Sequence, residues 1–280
     1  MKNMPWHTKL VLALTAFLPL YFIIAALGAK TGLWGWQFGL GAMTFTGGPY
    51  VVGIAGILAL ISLIIGLVNW SGRKAEKADG VKRPRSKMVV GSAILGLIVV
   101  AGFVLFAQSA SSTAGANPIY DIATDTGSPP TFSAHVMKQR KAEEANPVND
   151  YQVPFGELDK FAGSAPEFAI QNHAQFITEN YSDLRPLPLG GASRADAVAA
   201  VAAAMGSMSF DDIRQDAEGG RVEGVAVTFW YGFKDDVVAR IGDNEIDFRS
   251  VSRVGTSDLG ANAARIAELR EKVAAQIGQR

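Results

Sequence analysis

The chain has 280 residues, with 26 basic and 26 acidic side chains and no cysteine. The lack of cysteine excludes disulfides, thiolate zinc sites, iron–sulfur clusters and a cysteine nucleophile. Residues 1–108 hold ten Lys and Arg against two acids, a net charge of about +8, and residues 109–280 hold 16 against 24, about −8. The acidic C-terminal part argues against nucleic acid as a partner, because phosphates require a basic surface.

Three uncharged apolar runs in the N-terminal part are long enough to cross a membrane. They cover residues 10–29, 51–68 and 88–107. A membrane helix needs about 17–25 such residues, and three of them would be unusual in a soluble core. The first run is longer than the apolar core of a signal peptide, so we expect it to remain as an uncleaved span. The sequence therefore predicts a three-helix transmembrane anchor in a lipid bilayer.

The basic residues predict how the anchor is oriented. The loop at residues 69–87 carries seven Lys and Arg, whereas the loop at residues 30–50 carries only Lys30. The positive-inside rule places the basic loop and the N-terminus in the cytoplasm, and everything after residue 107 on the other side. Four aromatic residues flank the runs as an interfacial belt would: Trp34, Trp36, Tyr50 and Trp70.

The predicted spans contain no Asp, Glu, Lys, Arg or His. Proton relays and ion paths use such groups, so the helices are expected to anchor or dock the protein and not to transport. Small residues recur at a spacing of four, which permits close helix packing but is also common in membrane helices generally. The pairs are Ala25 and Ala29, Ala55 and Ala59, and Ser92 and Gly96.

After the spans, a polar linker at residues 109–117 is expected to lead into a domain covering residues 118–280. Its first part is weakly patterned, with an extended piece predicted at 118–123, an extended or irregular stretch at 168–180 and a helix at 134–145. From Ser193 the patterns are clearer, because a capping box with Asp196 precedes an alanine-rich helix. We predict helices at 197–205 and 258–277 and strands at 209–215, 225–233, 237–241 and 246–254. A strand meander flanked by helices, with one sheet face covered, is an α+β fold.

Charged side chains alternate along the last two predicted strands, which a tight turn at 242–244 would pair. Pairing would gather five of them on one face: Asp236, Arg240, Asp247, Arg249 and Arg253. The start of the last helix, near Ser257 and Asp258, would lie close to the strand end. One interpretation is a site for an anion such as a phosphate, a carboxylate or a lipid head group. The other, which the balance of charges favours, is a ladder of structural ion pairs with Ser257 or Asp258 capping the helix.

Residues 225–270 closely resemble the domain of unknown function 1499 family. The resemblance rests on GFKDD at 232–236, IDFRSVSRVG at 246–255, SDLGAN at 257–262, and Arg265 with Ile266. Many members of that family begin with a cysteine-bearing segment, whereas residues 119–132 here have none, as in a bacterial subgroup with preceding membrane spans. The resemblance implies a bacterial inner-membrane protein with a periplasmic domain, and it implies no activity. The positions that the resemblance marks are Asp235, Asp236, Arg249, Ser250, Ser252, Arg253, Ser257, Asp258, Asn262 and Arg265.

Catalytic and metal-binding patterns are weak in this sequence. His7, His135 and His173 lack metal-ligand spacing, and no G-x-S-x-G segment nominates a serine nucleophile. Asp121 and Asp125 are interpreted as turn residues, with a weak calcium contact as the alternative. No cofactor is expected.

Two functional hypotheses follow. The first is a binding or interaction module for an anionic ligand or for a membrane or periplasmic protein. Its candidate residues are Asp236, Arg240, Arg249, Ser250, Arg253, Ser257, Asp258, Asn262 and Arg265. The second is an envelope hydrolase, which requires Asp235, Asp236, Ser250 and Ser257 to converge in one pocket.

Overall fold

The computed structural model describes residues 4–72, 86–161 and 166–278. The chain divides into two compact units. The first comprises Met1–Ala110 with Phe229–Gly232, and the second comprises Ser111–Thr228 with Phe233–Arg280. Most of the basic loop at 69–87 lies outside the described residues.

The first unit is built from long apolar helices. Helix α1 spans Trp6–Lys30, a π-helix at Gln37–Gly47 continues into α2 at Gly48–Gly72, and α3 spans Ser86–Ala116. All three helical segments are long and apolar enough to cross a bilayer. The predicted membrane anchor is therefore confirmed.

Small residues bring these helices close together. A Cβ placed on Gly96 of α3 would lie 3.1 Å from Val11 Cγ1 and 3.3 Å from Ala59 Cβ, so a larger side chain would separate the helices. The polar linker predicted at residues 109–117 is helical as far as Ala116, where α3 ends. Its Ala- and Ser-rich end contains no proline that would stop it.

The second unit is an α+β domain, as predicted. Its strands are β1 (Asp121–Ala123), β2 (Leu187–Pro188), β3 (Asp211–Asp216), β4 (Arg221–Val227), β5 (Lys234–Ile241) and β6 (Glu245–Ser252). Its helices are α4 (Ala134–Ala142), α5 (His173–Asn180), α6 (Arg194–Ser207) and α7 (Ala261–Ile277). All strand pairs are antiparallel, and β3 to β6 form the expected meander, with β1 and β2 both paired to β6.

One face of the sheet carries the apolar core. Alternate residues of β5 and β6, among them Ala239 and the directly opposite Phe248, point to this face and are fully buried. Helices α6 and α7 cover it, with Met205 and Leu269 in the same core. Ser193 caps α6 by accepting from Asp196 N, as the capping pattern predicted.

The opposite face of the sheet is buried as well. Asp236, Val238 and Val251 point to this face and are no more than 1% exposed. The expectation that only one face is covered is wrong, because α4 and the irregular segments around it bring polar partners from residues 121–149 onto this face.

Two further predictions are wrong. The strand expected over 225–233 ends at Val227, because Tyr231 and Gly232 have φ values of +61° and +68° and turn the chain into a hairpin. The segment expected to be extended or irregular at 168–180 contains α5. That helix begins with a capping box in which Asn172 and Gln175 each bond the other's backbone.

Candidate functional site

The register of the β5–β6 hairpin confirms that the five predicted charged residues share one face. Arg240 lies opposite Asp247, Val238 opposite Arg249, and Asp236 opposite Val251. The turn between the strands closes with a hydrogen bond from Gly242 N to Glu245 O at 2.9 Å. The alternation of the sequence was sufficient to predict this arrangement.

Asp236 is the centre of the first buried cluster. Its Oδ2 accepts hydrogen bonds from Arg140 Nη1 at 2.5 Å and Arg253 Nε at 3.0 Å, and its Oδ1 accepts from Arg253 Nη2 at 2.6 Å. The three side chains are 1%, 3% and 5% exposed, in the order Asp236, Arg140 and Arg253. Arg253 also pairs with Glu143 at 2.8 Å. Two guanidiniums therefore share one buried carboxylate, with a second, half-exposed carboxylate at the edge.

The electrostatics of this cluster follow from its geometry. Burial lowers the pKa of Arg253, but the hydrogen bonds and charges of Asp236 and Glu143 outweigh burial and raise it above its usual value. Burial raises the pKa of Glu143, yet the hydrogen bonds from Arg253 and Lys234 bring it below the usual value. The charged forms of both groups are thus stabilised in the folded domain.

Asp121 is the centre of the second buried cluster. Arg249 binds it with two hydrogen bonds, from Nε to Oδ1 at 2.9 Å and from Nη2 to Oδ2 at 2.7 Å. Tyr151 Oη and Asn149 N donate to the same carboxylate at 2.7 and 2.9 Å. Asp121 is therefore a fully buried counter-ion and not the turn residue or calcium contact that we considered from the sequence.

Aromatic rings close the second cluster. The Arg249 guanidinium lies 4.8 Å from the centre of the Tyr151 ring, and the His173 ring stacks on the Tyr151 ring with their centres 5.1 Å apart. His173 Nε2 lies 3.2 Å from Asn149 Nδ2. Burial lowers the pKa of His173 to about 4, so its ring is neutral at physiological pH.

Arg240 is more accessible than the other two arginines. It pairs with Asp125 and with Asp247, each at 2.8 Å, and donates to Ser128 O at 2.9 Å. Its side chain is 38% exposed. Asp125, which the sequence also suggested as a turn residue, accepts from the backbone N–H groups of Gly127 and Ser128 and so holds the turn as well.

The remaining signature residues form a separate network on the core face of the sheet. Arg265 donates to Asp235 Oδ2 at 2.6 Å and to Ser250 Oγ at 3.0 Å. Asn262 accepts from Ser250 Oγ at 2.6 Å and donates to Ser252 Oγ at 2.9 Å. This network joins the first two turns of α7 to β5 and β6.

The beginning of α7 is bonded within the protein. Asp258 accepts from the N–H groups of Gly260 at 2.8 Å and Asn262 at 2.9 Å, and Asn117 Nδ2 donates to it at 2.7 Å. Ser257 Oγ donates to Asn117 O at 2.6 Å. The carboxylate of Asp258 therefore takes the position at which an external anion would bind, which supports the capping interpretation.

The geometry that a hydrolase would require is not met by its candidate residues. Asp235 and Asp236 are neighbours in β5 and point to opposite faces of the sheet, as their different partners Arg265 and Arg140 show. Ser250 is fully buried against Asn262, and Ser257 is bonded at the start of α7. The four side chains are thus dispersed over three networks.

The domain also has two cavities of about 300 and 220 Å³. Arg140 lines the first, together with Met137 and Pro147, and Asp196 and Gln276 line the second. Neither is lined by a residue that the sequence nominated for binding. Within the described ranges, no group of three His, Asp or Glu side chains is placed to hold a metal ion.

All nine nominated binding residues are therefore engaged in bonds inside the domain, and their binding roles stay predictions. The sequence missed two buried partners of these residues, Asp121 and Arg140. Asp121 lies 128 positions from Arg249, and Arg140 lies 96 positions from Asp236. No local pattern connects residues so far apart.

A family model described as a protein of unknown function, DUF1499, matches residues 121–273. The match begins at Asp121, the counter-ion of Arg249, and ends at Val273 in α7. No curated protein and no solved structure matches the chain.

Proposed function

Because the chain belongs to the DUF1499 family and the family's signature side chains are bonded to one another inside its domain, we propose that it is a membrane-anchored interaction module. The observation that carries the proposal is that the charged side chains of the signature pair with opposite charges inside the domain. Arg249 and Arg253 are buried, and their guanidiniums donate hydrogen bonds to Asp121 and Asp236, respectively. The signature thus builds a rigid domain, and the exposed surface around it is left to bind a partner.

The partner in this proposal is another membrane or periplasmic protein. A free anion is disfavoured, because Asp258 already caps α7 and each of the three clustered arginines already faces a carboxylate. Burying a further anion there would require breaking a buried ion pair, which leaves an uncompensated charge.

We further propose that the module lies on the periplasmic side of a bacterial inner membrane. The support is the basic sequence at 69–87, the acidic sequence after residue 109, and the positive-inside rule. Single-cysteine variants test the orientation, because the chain has no cysteine of its own. A membrane-impermeant maleimide should label Glu218→Cys in intact spheroplasts and Lys77→Cys only after permeabilisation. The opposite pattern would overturn the orientation.

Photo-crosslinking tests the interaction. A photoreactive residue is placed at single exposed positions of the full chain in cells, with buried Val251 as a control position. We expect one discrete protein adduct at a contiguous set of exposed positions, and we expect Ser250→Ala to leave it unchanged. Absence of any adduct, or turnover of an envelope substrate that Ser250→Ala abolishes, would contradict the interaction module.

Phosphate titration tests the anion alternative on the same protein. We expect inorganic phosphate to shift neither the thermal midpoint of the wild-type chain nor that of Arg240→Gln. A midpoint that rises with phosphate in the wild type and stays constant in Arg240→Gln would favour the anion site, since Arg240 is the most exposed of the three arginines.

A further inference from the structure

The hairpin between β4 and β5 ends in three consecutive aromatic residues, Phe229, Trp230 and Tyr231. Phe229 is 65% exposed and Trp230 is 49% exposed, although the strands β5 and β6 are mostly buried on both faces. The hairpin tip, defined here as Phe229–Gly232, is closed by two hydrogen bonds. Thr228 N donates to Phe233 O at 2.8 Å, and Phe233 N donates to Thr228 Oγ1 at 2.9 Å. The exposed rings of Phe229 and Trp230 therefore lie on a hydrogen-bonded turn.

The hairpin tip belongs to the first compact unit together with the membrane helices. Within that unit, Tyr231 Oη lies 2.6 Å from Thr44 Oγ1, and Lys30 Nζ lies 4.9 Å from the centre of the Phe229 ring. Lys30 is the last residue of α1, which is where a membrane helix reaches the head-group region. Trp, Tyr and Lys are the side chains that membrane proteins concentrate at this depth.

The strand register shows which end of the sheet carries the hairpin tip. Asp121, the first residue of β1, aligns with Val251 and Asp236, so the chain enters the sheet from α3 at the same end as the hairpin tip.

We propose that the hairpin tip is a second membrane contact, in which Phe229 and Trp230 insert into the head-group region of the bilayer that the three helices span. The tip would thereby add a lipid contact to those made by the three helices of the same unit. This inference rests on the membrane anchor alone and holds for either side of the membrane, so it does not depend on the proposed partner.

Depth-dependent fluorescence quenching tests the proposal. Trp230 is made the only tryptophan of the full chain by Trp6→Phe, Trp34→Phe, Trp36→Phe and Trp70→Phe. The chain is reconstituted in phosphatidylcholine vesicles whose acyl chains carry bromine at shallow or deep positions. We expect bromine near the head group to quench Trp230 most strongly, at least about twofold more than the control, as befits an interfacial tryptophan.

The control places a single tryptophan at the other end of the same strand. In this chain Trp230→Phe is combined with Glu218→Trp in the turn between β3 and β4, about 20 Å away along the seven residues of β4. Equal quenching at the two positions would overturn the proposal.

A second measurement leaves the native tryptophans in place. Phe229→Cys carries a nitroxide, and its collisions with oxygen are compared with its collisions with a water-soluble nickel chelate. More frequent collisions with oxygen than at a labelled Glu218→Cys support lipid contact. Dominant collisions with the chelate would show a water-exposed tip, and protection from both reagents would show a tip covered by protein, and either result refutes the inference.

Discussion

Asp236 is the residue whose loss should disturb the domain most. It is buried and forms three hydrogen bonds with two buried guanidiniums, Arg140 and Arg253. Asp236→Ala would leave both cations without their shared carboxylate, and only Arg253 has another, Glu143, within reach. Removing one partner of a buried ion pair costs about 3–5 kcal/mol, because the remaining charge stays desolvated.

This loss converts into a measurable shift in the free energy of unfolding. For a domain of this size we expect a urea dependence of about 2 kcal/mol per molar, so the unfolding midpoint should fall by about 1.5–2.5 M. The assay is pulse proteolysis of the full chain in detergent micelles, with cleavage within the domain followed as urea increases. The unfolding midpoint of Asp236→Asn should lie between those of the wild type and Asp236→Ala, because the amide oxygen still accepts a hydrogen bond but the charge is lost.

The matched control is Asp243→Ala, which removes the carboxylate from the exposed ion pair with Arg194. Exposed pairs contribute little, so its midpoint should stay close to that of the wild type. If Asp236→Ala shifted the midpoint no more than Asp243→Ala, the buried cluster would not be the structural centre that its hydrogen bonds indicate.

Two more predictions concern pH and backbone conformation. His173 has a pKa of about 4 in the folded domain and an ordinary pKa of 6.5, so the unfolded chain takes up the proton at a higher pH than the folded one. The free energy of unfolding should therefore fall by up to about 3 kcal/mol as the pH drops from 6.5 to 4. His173→Gln should reduce this slope. The signature glycines Gly255 and Gly260 have φ values of +88° and +83°, so alanine at either should cost about 1 kcal/mol in urea titrations, unlike Gly127→Ala.

Local patterns predicted the parts of the protein that depend on neighbouring residues. The three spans follow from continuous apolar sequence, and the pairing of β5 with β6 follows from alternation around a short turn. Ser193 was recognisable as a cap because its partner Asp196 is only three residues away. In each case the residues that decide the structure lie within one turn or one hairpin of each other.

The parts that were not predicted depend on distant residues. Helix α5 has only eight residues, too few to be stable without the packing of Phe176 and Ile177 into the core, and its capping box of Asn172 and Gln175 is a local signal that the prediction missed. Asp121 has the composition of a turn residue, and only the fold shows that Arg249 reaches it from 128 positions away. Burial of the second sheet face was missed for the same reason, since the segments that cover it have no regular pattern.

The placement of the buried charges indicates why this domain uses ions where an apolar core would suffice. A buried ion pair is often no more stabilising than well-packed apolar side chains of similar volume. The two clusters, however, attach the segment from β1 to α5 to the sheet at specific atoms. Arg249 of β6 binds Asp121 with two hydrogen bonds, and Arg140 donates to Asp236 on β5 and to Val251 O on β6. Apolar contacts would allow that segment several similar packings, whereas a two-hydrogen-bond carboxylate–guanidinium pair accepts one. We therefore infer that the signature residues fix the arrangement of a segment with little secondary structure of its own, and that recognition of a partner is left to the surface that this arrangement presents.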